Sequence, residues 1–264
     1  MAVHEYALAP RLAAGETVLT AWSNLPDPGL VEALAAGPFG AVTLDMQHGG
    51  HHEESVLSGI APIVRAGKAA VVRIPVARYD MASRALDSGA DAIIAPMIDT
   101  AADARAFRDS VKYPPVGKRS WGPVCGRALR GVEGGDAFLH RANADTLAFA
   151  MIETKGAYEA AEEIAAIDGI DGLFVGPADL TIAWTGGETS DFTTGAMEPM
   201  IAHLAAVATR AGKHAAIYAG SAAQAARFLK LGYKLVVLAS DIAIIEAGQA
   251  AFADALARET AGDA

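Results

Sequence analysis

Eight short, nearly continuous apolar runs recur along this chain, and each is followed by a longer stretch with helical spacing. The runs are Thr17–Leu25, Ala41–Met46, Ala69–Pro75, Asp91–Ile98, Thr146–Thr154, Gly172–Pro177, His214–Ala219 and Lys234–Asp241. Strands that are apolar on both faces belong in a parallel sheet covered on both sides, because alternating strands would leave one face in water. Between them, 197–211 places Met197, Met200, Ile201, Leu204, Val207 and Ala208 at intervals of three and four, which gives one buried stripe. Thr100 with Asp103 and Ser221 with Gln224 have the spacing of capping boxes at helix starts. Gly67, Gly89, Gly212 and Gly232 fall where a helix must end and turn into the next strand.

Eight β-then-α units in 264 residues without an internal linker predict an α/β fold, a single (β/α)₈ barrel domain over 1–264. That architecture needs roughly 250 residues. An open doubly wound sheet is the rival, and the regular eightfold repeat favours closure. Two stretches interrupt the rhythm, 113–145 and 180–196, and both read as long connections serving the rim that carries the chemistry. The last segment, about 242–261, puts Ile245, Phe252 and Leu256 on one helical face. That face suits packing on its own barrel or on a neighbouring subunit.

Composition narrows the function. A formal net charge of −10, with lysines and arginines scattered singly, excludes the basic stripe a nucleic-acid binder uses. No apolar run approaches the ~20 residues needed to span a bilayer. Met1–Tyr6 lacks a basic and then apolar export pattern, and Cys125 is the only cysteine. A cytoplasmic enzyme acting on a small molecule is the expectation.

In such a barrel the chemistry lies at the C-terminal ends of the strands. There the sequence places Asp45 and His48, Arg73, Glu153, and Gly176-Pro177-Ala178-Asp179. Glu153 and Asp179, on adjacent strands, are candidate ligands of a hard divalent ion such as Mg²⁺ or Mn²⁺; otherwise they cap a helix and open a loop. Arg73 ends an apolar strand and needs an anionic partner: a substrate oxygen, or a carboxylate such as Asp45 or Glu153. Asp45 and His48 have the form of an orienting carboxylate and a base, or of a surface turn leading into Gly49-Gly50-His51-His52. The amides after Gly176-Pro177 can cradle a carboxylate. There is no GxGxxG fingerprint, GxSxG elbow or Walker A motif.

Taken in order, Thr43-Leu44-Asp45-Met46-Gln47-His48, Val72-Arg73, Leu86-Asp87-Ser88-Gly89-Ala90, Ala95-Pro96-Met97, Tyr113-Pro114-Pro115 through Gly117-Lys118-Arg119, Ile152-Glu153-Thr154 and Gly176-Pro177-Ala178-Asp179-Leu180 resemble the HpcH/HpaI aldolase family over most of the chain. The resemblance implies a metal-dependent pyruvate aldolase that cleaves a 4-hydroxy-2-oxo acid to pyruvate, or hydroxypyruvate, and an aldehyde. It implies a divalent metal (Mg²⁺ or Mn²⁺, with Co²⁺ and Zn²⁺ as further ions) on Glu153 and Asp179. Arg73 would sit on the 2-oxo group, and His48 with Asp45 would be the acid–base pair. Gly176 and the amides of Ala178 and Asp179 would hold the substrate carboxylate. Asp87 would reach the site across a subunit contact in a trimer or hexamer. Many members carry glutamine where this chain has Met151, which implies a more apolar pocket. Arg119 is a candidate for an acceptor carboxylate or a surface residue. Two alternatives remain: an acyl-CoA lyase of the same superfamily and a non-catalytic acid-binding barrel.

Overall fold

The computed structural model describes residues 7–261. Eight parallel strands close into a barrel in chain order: β1 (Val18–Ser23), β2 (Ala41–Asp45), β3 (Ala69–Arg73), β4 (Ala92–Ala95), β5 (Leu147–Ile152), β6 (Gly172–Val175), β7 (His214–Tyr218) and β8 (Leu235–Ser240). β8 pairs back onto β1 with a register shift at Thr20/Ala21. The open-sheet rival is thereby excluded. Most observed strands are shorter than the apolar runs because the run ends become rim. After β4, Pro96 has no N–H to continue a ladder, and Met97 turns the chain at φ 53°.

Alternation along the strands separates two cores. Ala69 and Val71 of β3, and Leu147, Phe149 and Met151 of β5, fill the barrel interior. Ala70 and Val72, and Ala148, Ala150 and Ile152, pack outward under the helices. The same parity aims Asp45, Arg73 and Glu153 inward at the C-terminal rim. Leu8 and Leu12 of the first helix, Leu8–Ala13, join the interior cluster and plug the opposite mouth.

The helix signals hold. Thr100 and Asp103 form the reciprocal box, Ser221 accepts from the Gln224 amide, and Gly67, Gly89, Gly212 and Gly232 all have positive φ.

The 113–145 connection does not serve the rim. It joins the helix Ala101–Val111 to the start of β5, so parallel topology delivers it to the N-terminal side of the barrel. Its anchors are there. The buried Lys112 ammonium bonds the Thr146 and Asn143 carbonyls and lies 2.7 Å from Asp171, just before β6. Arg130 pairs with Asp91, just before β4, at 2.9 Å. The 180–196 stretch does follow a strand's C-terminal end: the helix Pro177–Thr185 is succeeded by a single 3₁₀ turn, Phe192–Thr194.

The final helix, Asp241–Ala261, buries only Asp241. Phe252 is 81 % and Leu256 66 % exposed, so their apolar face is not covered by the described residues of this chain. No helix among the described residues is long and apolar enough to cross a membrane.

Candidate active site

At the rim, Asp45 and Arg73 are neighbours in register on β2 and β3. Asp45 is fully buried and receives Arg73 Nε at 2.8 Å on Oδ1 and Nη2 at 2.6 Å on Oδ2. The Trp22 indole N–H reaches Oδ2 at 3.2 Å, and the amides of Gln47, Gly49 and, at longer range, His48 complete the set. Burial is the largest influence on the Asp45 carboxyl and raises it, but Arg73 and these donors outweigh burial and hold it below the usual carboxylate range. The Arg73 guanidinium carbon lies 4.8 Å from the centre of the Trp22 ring. With Nε and Nη2 on Asp45, Nη1 makes no hydrogen bond among the described residues.

This corrects the Asp45–His48 pairing. Asp45 takes from His48 only its backbone N–H, at 3.4 Å. The planar fork of an arginine matches both carboxylate oxygens at once, and it captures Asp45 ahead of an imidazole. His48 itself is exposed at the mouth of the cavity, and its ring makes no hydrogen bond among the described residues.

Glu153 stands one residue beyond β5 and is 2 % exposed. Its Oε1 accepts the Met97 amide at 2.8 Å, an N–H aimed by the left-handed turn at Met97. Its Oε2 accepts no hydrogen bond among the described residues and lies against Gly176. Burial chiefly pushes the carboxyl up, to about 7; the Asp179 and Asp99 carboxylates add to that, and the Met97 amide and Arg73 oppose it. Asp179 sits in the first turn of Pro177–Thr185. Pro177 has no N–H, and that of Leu180 returns to the Gly176 carbonyl, so the Ala178 and Asp179 amides are left as the outward donors of the helix end.

A cavity of about 230 Å³ is lined by Asp45, Arg73, His48, Gly176, Ala178 and Asp179, and Glu153 lies against its Gly176 wall. Met151, facing inward beside Gly176, contributes an apolar wall. Asp87 is not brought here. It lines a separate groove with Arg84 and Cys125, and its Oδ1 takes Arg119 Nη2 at 2.6 Å. Arg119 is likewise remote from the cavity, 4 % exposed and stacked over Tyr113.

Sequence reasoning missed Trp22, the Met97 amide, Tyr218 and Phe192. Trp22 and Tyr218 lie at or next to strand ends and were reachable by the rim rule. The amide of Met97 has no side-chain signal.

The family described as HpcH/HpaI aldolase/citrate lyase matches residues 19–246. The chain belongs to the HpcH/HpaI aldolase/citrate lyase family. A hydroxypyruvate/pyruvate aldolase of Rhizorhabdus wittichii is 34 % identical over 233 residues, covering 88 % of this chain and 91 % of that protein. A 4-hydroxy-2-oxo-heptane-1,7-dioate aldolase of Salmonella dublin is 31 % identical over 244 residues, covering 92 % and 91 %. The solved structure of an HpcH/HpaI aldolase/citrate lyase family protein from Burkholderia cenocepacia superposes with a TM-score of 0.83 at 28 % identity, covering 94 % and 98 %.

The family of metal-dependent aldolases implies a divalent metal, and the residues present fit one. Among the described residues neither Glu153 nor Asp179 forms an ion pair, the Asp179 charge acts on Glu153, and Glu153 is deeply buried with an oxygen lacking a donor. Among the described residues no set of three or more His, Cys, Asp and Glu side chains converges on a point. A hard ion held by two carboxylates, with water and a chelating 2-oxo acid in the other positions, requires no third.

Gly176 is essential to this packing. A Cβ there would meet Glu153 Oε2 at 2.6 Å and Met151 Cε at 2.7 Å. Both are ends of flexible side chains, so Gly176→Ala is expected to fold and to displace the Glu153 carboxylate. Titration with Mn²⁺ followed by paramagnetic resonance should show affinity about tenfold weaker or worse, as when a group that orients a ligand is disturbed. Unchanged affinity would contradict the placement of Glu153.

Proposed function

We propose that this chain is a carbon–carbon lyase, a metal-dependent aldolase that cleaves a 4-hydroxy-2-oxo acid to pyruvate or hydroxypyruvate and an aldehyde, and runs the reverse addition. The observation that carries the reading is one cavity lined by Arg73, the Asp179 carboxylate and two outward helix-end amides, with the buried Glu153 carboxylate against its Gly176 wall. Aldolase-named relatives over most of the chain support it.

Glu153 and Asp179 would hold the ion, Mg²⁺ or Mn²⁺ by their oxygen chemistry, with Co²⁺ and Zn²⁺ as further candidates. When bound, the ion supplies a positive charge for the oxygen that becomes an enolate. The Ala178 and Asp179 amides bind the substrate carboxylate and fix the plane of the 2-oxo acid against Gly176. Arg73, immobilised by Asp45 and Trp22, presents Nη1 to the 2-oxo oxygen and favours it most as its charge develops. His48 takes the proton from the 4-hydroxyl during cleavage and returns it during addition. Asp45 acts through Arg73 and the 45–49 turn.

The chain works as one barrel domain in the cytoplasm, as a homo-oligomer, a trimer or hexamer, with no nucleic-acid or membrane partner. The exposed face of Asp241–Ala261 packs on a neighbouring subunit, and Asp87 acts across a subunit contact. EDTA is expected to abolish pyruvate release from 4-hydroxy-2-oxopentanoate, followed by coupled NADH oxidation, and Mn²⁺ to restore it. Full activity after exhaustive chelation would overturn the metal assignment.

A further inference from the structure

No described residue bonds the His48 ring, so within this chain the backbone of the turn after β2 alone aims it at the cavity. At its start the turn is tied to Asp45, whose carboxylate accepts the amides of Gln47 and Gly49 at 3.0 Å. Further on it leans against the segment that leaves β1. The Gly50 amide donates to the Asn24 carbonyl at 2.7 Å, and a Cβ on Gly49 would meet Asn24 Cα at 3.0 Å. That segment is itself fixed. The buried Asp241 accepts the amides of Asn24 and Leu25 at 2.7 and 2.8 Å and the Asn24 side-chain nitrogen at 2.9 Å.

His51 is the side chain that joins the two. It is 4 % exposed and does not line the cavity. Its Nε2 lies 2.9 Å from Ser23 Oγ at the end of β1, and its Nδ1 lies 3.1 Å from Ser55 Oγ in the first turn of the helix Glu53–Arg65. The Leu25 carbonyl, 3.4 Å from Ser23 Oγ, can only accept, which assigns the ring proton to Nε2 as donor to Ser23. Burial chiefly holds the imidazole below its usual range, with His52 adding to that and the Asp241 and Asp45 carboxylates opposing it. A neutral ring with both nitrogens engaged links strand to helix and leaves neither nitrogen for a substrate.

We infer that His51 is a positioning residue: by fastening the 46–52 turn to β1 through Ser23, it fixes His48 at the cavity. This rests on the acid–base role given to His48 above. A misplacement of about 1 Å is enough to cost on the order of 10²-fold in rate. The groups that bind are held by other contacts, Arg73 by Asp45 and Glu153 by the Met97 amide. Loss of the His51–Ser23 link should therefore slow proton transfer without loosening metal or substrate.

The test uses the amides that mimic each ring nitrogen. Asparagine places its nitrogen near Nδ1 and reaches only Ser55, whereas glutamine places it near Nε2 and reaches Ser23. Cleavage of 4-hydroxy-2-oxopentanoate is followed in the Mn²⁺-loaded protein, with Mn²⁺ affinity read separately by paramagnetic resonance. His51→Asn is expected to lower kcat at least about tenfold, with KM and Mn²⁺ affinity within about twofold of the wild type. His51→Gln should restore kcat to within about threefold. Ser23→Ala, which removes a single oxygen and keeps the test available should His51→Asn not fold, is expected to match the asparagine variant. Combining Ser23→Ala with His51→Asn should cost no more than either alone, because both break one link. Wild-type kcat in His51→Asn or Ser23→Ala overturns the inference and leaves the aldolase standing. So do equal losses in the asparagine and glutamine variants, a loss shared by Mn²⁺ affinity, or losses that multiply in the double variant. A wild type that releases no pyruvate overturns the aldolase reading and this inference with it.

Discussion

Arg73→Lys is expected to lower kcat for aldol cleavage by about 10²–10³, the range seen when one donor to a developing oxyanion is lost. The charge survives in this variant, so buried Asp45 keeps a cationic neighbour and the fold is retained. What disappears is the fork: an ammonium cannot place one nitrogen on each Asp45 oxygen and still direct a third at the substrate. Because the lost contact is strongest in the transition state, kcat should fall while KM moves little. Steady-state kinetics on 4-hydroxy-2-oxopentanoate check this. A loss of less than threefold in kcat, or a loss confined to KM, contradicts the role given to Arg73. Arg73→Met removes the charge as well and should destabilise the protein by about 3–5 kcal/mol, since it leaves Asp45 buried without a cation.

Glu153→Gln should eliminate metal-dependent activity while stabilising the metal-free protein at alkaline pH. The sign follows from the carboxyl being pushed up from 4.5 to about 7 by folding. Between those values the folded state holds more protons than the unfolded state, so stability falls as pH rises through that window, and the whole loss is present above it. The shift corresponds to about 3 kcal/mol. A neutral amide avoids that penalty, so in EDTA at pH 8 the variant should melt about 5 °C above the wild type. The gap should close towards pH 5. Mn²⁺ should raise the melting temperature of the wild type and not of the variant. A variant that melts below the wild type in EDTA at pH 8 would contradict the unrelieved burial of Glu153.

Much of this was legible in the sequence because period-two alternation and strand direction do two jobs. They build the core, and they also decide which residues face the rim. Asp45, Arg73 and Glu153 follow from the same parity as Val71 and Phe149. Side-chain partners were less legible. Asp45 and His48 are close in sequence, yet the carboxylate went to Arg73, an arginine 28 residues away that two parallel strands bring into register. The 113–145 connection was assigned to the wrong end of the barrel because its length drew attention and its topology did not: an α-to-β connection emerges at the N-terminal face. The Met97 amide belongs to no residue type, so only the backbone turn reveals it. Asp87 lines a separate groove, outside the cavity that holds Arg73 and Asp179.

Enolate formation from a 2-oxo acid, in this cavity and with a divalent ion bound, is the step on which the proposed reaction depends. Proton NMR of pyruvate in D₂O tests it without knowledge of the aldehyde. With Mg²⁺ the methyl signal should decay through enzyme-dependent deuteration, EDTA should halt the decay, and Glu153→Gln and Asp179→Asn should not support it. A folded, metal-loaded protein that leaves the methyl groups of pyruvate and the C3 protons of hydroxypyruvate unexchanged would contradict the account.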